Sequence, residues 1–399
     1  MVNEAGHEKA RLAWLLALAV ALFAIGDAVV LAVLLAAQVG LWLASGLPAK
    51  DLLLPLRRLL LFGLLIALSF AFVATGTGED RWLALPLGNW TLQINLSGLA
   101  LAGVMLLRVL TLVLASVWVQ RSCPPGSLVR GLRALRLPET VAIAVDATLA
   151  ILGGGPRSGA GGGHGGGMGK GGGGHRQDDA AVGAPHGRDG SLRWQEIRAG
   201  RTQAFADIFE RALERARRWL AAQYPTLAPE RLRDLSIVLA LCLTIIGLKV
   251  LQVLPGIPFA SGHKNVLIVP LFLYAAQATG MRFGAFAAGT AVGIVSFLLG
   301  YGKYGVLEIA HFAVPGLLAD LLAPWLRATA PGARLAQFAV AGAVLGLGRF
   351  AANFLAILLA GAPQVAFVLF APLLISQVAF GALSCFVSVL LIKPKESPK

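Results

Sequence analysis

The sequence predicts an all-α, polytopic helical membrane protein of about ten spans, four plus six, with a cytoplasmic helical segment between the two groups. Three observations predict it. Of the 399 residues, 57% are hydrophobic and only 14% charged, against roughly 25% charged in an ordinary soluble domain. The mean hydropathy is +0.75. The apolar residues gather into runs near the ~20 residues that cross a bilayer, with basic residues concentrated in alternate loops. So few charges cannot cover so much apolar surface in water. A cytosolic enzyme, a secreted disulfide scaffold and a disordered chain are excluded.

The first run, Leu12–Ala44, is long enough for two helices, and Gly26–Asp27 marks the turn between them. It exceeds the about 7–15 residues of a signal-peptide core, so it is expected to be retained. Leu59–Ala74 supplies a third span and Ser97–Val119 a fourth. A polar region runs from about Gln120 to Arg233. Six further runs follow: Ser236–Leu254, Val266–Ala278, Phe283–Leu299, Val306–Trp325, Leu335–Leu359 and Val365–Leu391. Val141–Leu152 is apolar but short and contains Asp146, so it reads as an interfacial or packed helix rather than a span.

Loop charges orient this arrangement. With Lys9 and Arg11 inside, Lys50, Arg57, Arg58, Arg121, Arg130, Arg133, Arg136, Arg282, Arg327, Arg334, Lys393 and Lys395 also fall inside. Only Arg81, Lys264 and Lys303 fall outside, beside an acidic outer loop at Glu79–Asp80. Both termini are therefore expected at the cytoplasmic face of the cell (inner) membrane. The formal charge of +14 reads as a topology signal and a cytoplasmic face that meets membrane lipids. No nucleic-acid motif accompanies it.

The polar region has two parts. Gly153–Gly174 reads GGGPRSGAGGGHGGGMGKGGGG and cannot pack a core; residues 153–190 are expected to form a flexible loop. Arg201–Tyr224 carries Ala204, Ile208, Ala212, Leu213, Ala216 and Leu220 at helical spacing, with Arg211, Arg215, Arg217 and Arg218 on the other face. Glu210 and Glu214 stand where they can pair with neighbouring arginines. A basic amphipathic helix at the cytoplasmic surface follows, ended by Pro225 and Pro229. The expected domains are 1–233 and 234–399.

Several tempting motifs fail on spacing. Lys170 follows glycines, but the first position of a nucleotide loop is His164 and the hydroxyl position is Gly171. ATP, if used, is therefore expected on another chain, with no cofactor bound here. His164, Met168, His175 and His186 fit no closed tetrahedral metal site. Cys123, Cys242 and Cys385 form neither a disulfide framework nor a zinc site.

The segment Leu106–Glu139 reads LLRVLTLVLASVWVQRSCPPGSLVRGLRALRLPE. A span bearing Arg108 ends at Gln120–Arg121, Pro124–Pro125 breaks it, a short amphipathic helix follows, and Leu137–Pro138 breaks the chain again. This pattern resembles the transmembrane T component of energy-coupling factor (ECF) transporters. That family carries R-x-L-x-L-V-L-x-S and then T-x-P-x-x-L-x-x-G-L-x-x-L-x-L-P. Arg108, Leu110, Leu112, Val113, Leu114 and Ser116 match the first run. Pro125, Leu128, Gly131, Leu132, Leu135 and Pro138 match the second, with Cys123 where the family has threonine. The resemblance covers roughly Leu12–Tyr224 and implies coupling to ABC-type ATPase subunits through short Ala-Arg-Gly-type motifs. Here the corresponding stretch is Arg198-Ala199-Gly200-Arg201, with Arg215 further along the basic helix.

The second half opens with a P-G-I-P…G-H-K-N loop and has small residues at Gly284, Ala287, Gly289, Gly293 and Gly300. It resembles the S component of the same transporters, the substrate-capturing subunit. For the glycines alone, close helix packing is the favoured explanation. Polar residues at membrane depth usually face a cavity or a partner. In this half they are Lys249, Glu308, His311, Asp320, Arg349 and Asn353, with His263, Lys264 and Asn265 at the outer mouth. Glu308 with His311, and Arg349 with Asn353, share helix faces by spacing. Together they are candidates for binding a small polar or anionic molecule; the alternative is ion pairing that only holds the bundle together.

The function expected is ATP-driven import of a vitamin or similar micronutrient, with hydrolysis on separate subunits and no enzymatic activity in this chain. The rival is an ion-gradient-driven secondary transporter relaying protons through Glu308, His311 and Asp320. A membrane enzyme on lipid or isoprenoid substrates lacks a nucleophile–base pair and an Asp-rich metal motif.

Overall fold

The computed structural model describes residues 2–48, 63–64, 67–68, 70–72, 80–87, 90–122, 127–134, 136–152, 202–250, 261–299, 305–327, 333–359, 366–367 and 370–392. Helices α1 (Val2–Ala24) and α2 (Ala28–Ala44) divide the first apolar run at Gly26–Asp27, as expected. Asp27 caps α2: its Oδ1 accepts from the Val29 and Val30 amides at 2.7 and 3.1 Å, occupying donors that a helix start leaves without intrahelical partners. The third expected span, Leu59–Ala74, lies mostly outside the described residues.

Strands β1 (Trp82–Leu87) and β2 (Trp90–Asn95) then pair antiparallel, from Trp82 opposite Asn95 to Leu87 opposite Trp90. Only an outer loop is expected there from sequence, so this hairpin is an addition to the all-α plan. The apolar run Trp82–Leu87 and the alternating run Trp90–Asn95, separated by Gly88–Asn89, were its available signal. Helix α3 (Leu96–Ser122) follows, then α4 (Ser127–Ala134) and α5 (Glu139–Leu152). The break at Leu137–Pro138 is a Schellman ending: the Leu137 amide donates to the Leu132 carbonyl and the Arg136 amide to Arg133. Arg136 takes the left-handed conformation at φ 61°.

The basic amphipathic helix is α6 (Thr202–Gln223). Its buried face holds Ala204, Phe205, Phe209, Ala216 and Leu220, while Arg211, Arg215, Arg217 and Arg218 are exposed. Pro229 does not end this helix: it opens α7 (Pro229–Val250), a position where its missing amide costs nothing. Helix α7 therefore runs through the expected domain boundary at 233/234, and the nearest break between helices is Tyr224–Ala228. The second half continues with α8 (Asn265–Ala278), α9 (Gly284–Leu298), α10 (Glu308–Arg327), α11 (Arg334–Leu359), α12 (Phe370–Leu383) and α13 (Cys385–Leu391). Single turns of 3-10 helix at Ser261–Lys264 and Gly305–Leu307 lead into α8 and α10.

Among the described residues, four stretches are long and apolar enough to cross a membrane alone: Leu96–Val119, Glu308–Arg327, Arg334–Leu359 and Phe370–Leu391. Ala10–Leu22, Ala28–Ala44 and Gly284–Leu298 are shorter apolar helices. The chain is an all-α polytopic membrane protein. Glycines allow a close approach of α9 to α10. A Cβ on Gly289 would stand 2.2 Å from the Phe312 carbonyl oxygen, and one on Gly293 2.5 Å from Ile309 Cα. The spacing of four places both glycines on one face.

The two halves touch through α3, α5 and α6, among others. Helix α5 packs between α7 and α9, in agreement with its reading as a packed helix. The Ser116 hydroxyl on α3 donates to the Leu298 carbonyl at 2.6 Å and lies 3.0 Å from that of Phe297. At the other end of α9, Thr140 Oγ1 meets Met281 Sδ at 3.8 Å. Loop charge assigns Leu299 to the outer end of α9 and Arg121 to the inner end of α3. Ser116 stands about 8 Å along α3 from Arg121 at 1.5 Å per residue, yet it holds the end of α9 expected outside. Both ends of α9 thus meet the first half, Leu298 through Ser116 and Met281 through Thr140.

Candidate functional site

Six helices, α7 to α12, bring buried polar side chains together. Lys249, near the end of α7, donates from Nζ to Glu308 Oε1 on α10 at 2.6 Å and to Ser296 Oγ on α9 at 3.2 Å. One turn along α10, His311 Nε2 meets Arg349 Nη2 of α11. Arg349 Nη1 donates to Asn265 Oδ1 at 2.7 Å, and Asn265 Nδ2 donates to Gln377 Oε1 of α12 at 2.7 Å and to its carbonyl at 3.1 Å. Phe312 lies at the centre: Lys249 Nζ is 4.7 Å and Arg349 Cζ 5.4 Å from its ring centroid. Ammonium and guanidinium groups over an aromatic face gain cation–π attraction.

Local sequence explains the convergence. Glu308 and His311 are three residues apart and stack on one face of α10. Close approach of α9 at Gly289 and Gly293 brings Ser296 within reach of Lys249. The Gly262 amide donates to Ser376 Oγ at 2.8 Å, tying the start of α8 to α12.

Of the residues expected to bind substrate, Lys249, Asn265, Glu308, His311 and Arg349 are joined in this network. Asn353, one turn from Arg349, is buried, and its Oδ1 has no hydrogen-bond partner among the described residues. His263 is buried edge-on to Phe380. Lys264 borders, with Lys249, Leu248, Leu267 and Ile268, a void of about 10 Å³, room for one water at most. Asp320 stands apart. It lies about 18 Å along α10 from Glu308, and its carboxylate accepts the Ala285 and Phe286 amides at 3.1 and 2.8 Å, capping α9. The envisaged ion pairs of Arg349 with Glu308 or Asp320 are replaced by Lys249–Glu308 and by Arg349 with His311 and Asn265. Ser296 and Gln377 were not singled out from sequence. Both look like ordinary polar residues in apolar runs, and only the helix packing turns them inward.

Arg198, Ala199, Gly200 and Arg201 lie outside the described residues. Arg215 is exposed on α6, and Arg218 Nε donates to Glu214 Oε1 at 2.8 Å. Between α6 and the second half lies a cavity of about 360 Å³, bordered by Glu210, Glu214, Arg217, Arg233 and Tyr274. Phe209 anchors α6 there, edge-on to Tyr274 with centroids 5.1 Å apart.

In the first half, Arg108 reaches across from α3 to the end of α1, donating from Nε and Nη2 to the Ile25 carbonyl at 3.2 and 2.7 Å. Arg11 donates to the Ser122 carbonyl and lies over Trp118. The arginine and serine of the first family-like run thus have structural duties: Arg108 binds the α1–α2 break, and Ser116 binds the second half.

Residues 6–152 match the family model CbiQ, cobalt transport protein. The similarity spans α1 to α5, a little over a third of the chain, and ends where the glycine-rich stretch begins. It supports the T-component likeness of the first half. Neither the curated proteins nor the solved structures contain a match to the chain.

Proposed function

We propose that this chain is the membrane part of an ECF-type importer, with a T-component-like first half coupled to separate ABC-type ATPases and an S-component-like second half that captures a small molecule. The observation that carries the reading is the buried network Lys249–Glu308–Phe312–Arg349–Asn265, joined through α9 to the part similar to CbiQ. Buried charges at membrane depth are costly and are usually kept for function. Here they sit in the half to which the similarity does not extend.

The chemistry suggests the cargo. The CbiQ family is described by cobalt transport, but the ammonium and guanidinium of Lys249 and Arg349 repel a metal cation. They suit a small organic molecule with a negative group, such as a vitamin or vitamin precursor. Such a group would replace Glu308 beside Lys249 or His311 beside Arg349, while Asn265 and Gln377 offer amide donors and acceptors. Asn353 would complete the set.

The cytoplasmic face suits a motor. Arg215 and its neighbours on α6 would form bidentate bonds with ATPase carboxylates, together with Arg198 and Arg201. Movement of the first half would reach the network through Ser116, which holds Phe297 and Leu298 next to Ser296. A proton relay through Glu308, His311 and Asp320 is less favoured, because Asp320 lies far from the pair and is occupied as a helix cap.

The test is uptake of radiolabelled vitamins and vitamin precursors by proteoliposomes. Uptake that requires the host's ATPases and ATP, and that Arg349→Gln abolishes, supports the proposal. Uptake that survives without ATPases and collapses with an uncoupler overturns it.

A further inference from the structure

The hairpin Trp82–Asn95 has no part in that function. Its register sorts side chains onto two faces, since successive residues alternate and cross-strand partners share a side. Leu83, Leu85, Leu92 and Ile94 fall on one face; Ala84, Pro86, Thr91 and Gln93 fall on the other. No Asp, Glu, Lys or Arg stands between Trp82 and Asn95. Three of the four side chains on the apolar face are exposed, Leu83, Leu85 and Leu92 by 43%, 39% and 37%, and Ile94 at its base is half-buried. An isolated two-stranded hairpin is at best marginally stable in water, and leucines clustered on an open face mark a surface that meets something apolar.

Its base fixes its depth. The Leu96 amide donates to the Arg81 carbonyl at 2.8 Å, and the Arg81 amide to Ser97 Oγ at 3.2 Å. Asn95, fully buried, ends β2 and accepts the Gly98 amide at 3.0 Å, holding the start of α3. Leu96–Val119 is one of the stretches long and apolar enough to cross a membrane. The hairpin is therefore bolted to the end of a membrane-crossing helix, where hydrocarbon gives way to head groups. It cannot sink further, because a two-stranded sheet has two open edges whose amides and carbonyls find no partners in hydrocarbon. Pro86 removes one such amide.

We propose that this hairpin lies flat in the head-group zone of the leaflet at the start of α3. Leu83, Leu85, Leu92 and Ile94 face the acyl chains, and Thr91 and Gln93 face water. A lipid surface fits better than a protein partner because the face is continuous with a lipid-crossing helix and carries no charge to orient a polar partner.

The test uses the full chain, with its three native cysteines replaced by alanine and a single new cysteine introduced by Leu85→Cys, Leu92→Cys or Gln93→Cys. Each is labelled with a polarity-sensitive fluorophore and reconstituted in phosphatidylcholine vesicles. The labels at positions 85 and 92 are expected to emit blue-shifted and to be quenched several-fold more by nitroxide-bearing lipid than by aqueous iodide, with the reverse at 93. Equal iodide quenching at all three positions overturns the proposal. So does a blue shift at 93 matching that at 85, which reports partition of the dye alone. Shielding of 85 and 92 from both quenchers means that protein covers the face, and also overturns it.

Discussion

Glu308→Gln keeps the shape of a buried side chain and removes its charge. Glu308 is 4% exposed, and the Lys249 ammonium is left without its carboxylate, next to Ser296 and Phe312. Removing one partner of a buried pair costs about 3–5 kcal/mol, whereas replacing both with apolar groups of similar volume is about neutral. The lower end applies, because the Lys249 side chain keeps 19% exposure. A loss of about 3 kcal/mol lowers the apparent Tm by roughly 5–10 °C, at about 2–4 °C per kcal/mol for chains of 150–250 residues and somewhat less for longer ones. The assay is thermal unfolding of the detergent-solubilised chain, run beside uptake. Lys249→Met combined with Glu308→Leu is expected to return Tm to within about 3 °C of the parent while uptake stays lost. A double variant as unstable as the two single changes summed would refute the pairing. One that recovers both stability and uptake would show the pair to be structural only.

Three further outcomes follow from the same geometry. Gly289→Ala drives a methyl to 2.2 Å from the Phe312 carbonyl and is expected to cost about 1–3 kcal/mol; Gly103→Ala, which meets nothing within 4 Å, leaves Tm unchanged or raised. Asp320→Ala removes the α9 cap, at about 1 kcal/mol, without altering the substrate concentration that half-saturates uptake. Burial pushes the Asp146 carboxyl on α5 above its ordinary 3.8, with Arg133 opposing. The folded chain therefore holds an extra proton between 3.8 and the raised value, and stability falls as pH rises through that window. Asp146→Asn is expected to melt higher than the parent at pH 7, with the advantage shrinking as the pH falls; an advantage that grows on acidification contradicts this.

The helices were legible because apolar length is a one-dimensional signal. Gly26–Asp27 announced the first break, and helical spacing announced α6. Phe205 and Phe209, the buried anchors of α6, fit the same periodicity and were available to it. The hairpin was hidden because a two-residue connection between short apolar runs is easily absorbed into a loop between spans. In the site, charge drew notice to Lys249, Glu308, His311 and Arg349, since ionisable groups stand out in apolar runs. Their pairing was not legible, because it depends on the glycine-controlled approach of α9 to α10. Asp320 shows the limit of that signal: an intramembrane carboxylate serves a helix end as readily as a ligand. Ser116 stood out only as part of a family-like run, and its bond to Leu298 depends on how the halves meet.

The central claim is that separate ATPases drive this chain. Its most direct test is purification of the detergent-solubilised protein from its own host, with and without Arg198→Ala and Arg201→Ala. A stoichiometric pair of ABC-type ATPases that accompanies the parent chain and is lost from the variant is the predicted result. A parent chain that purifies without any ATPase would contradict the account.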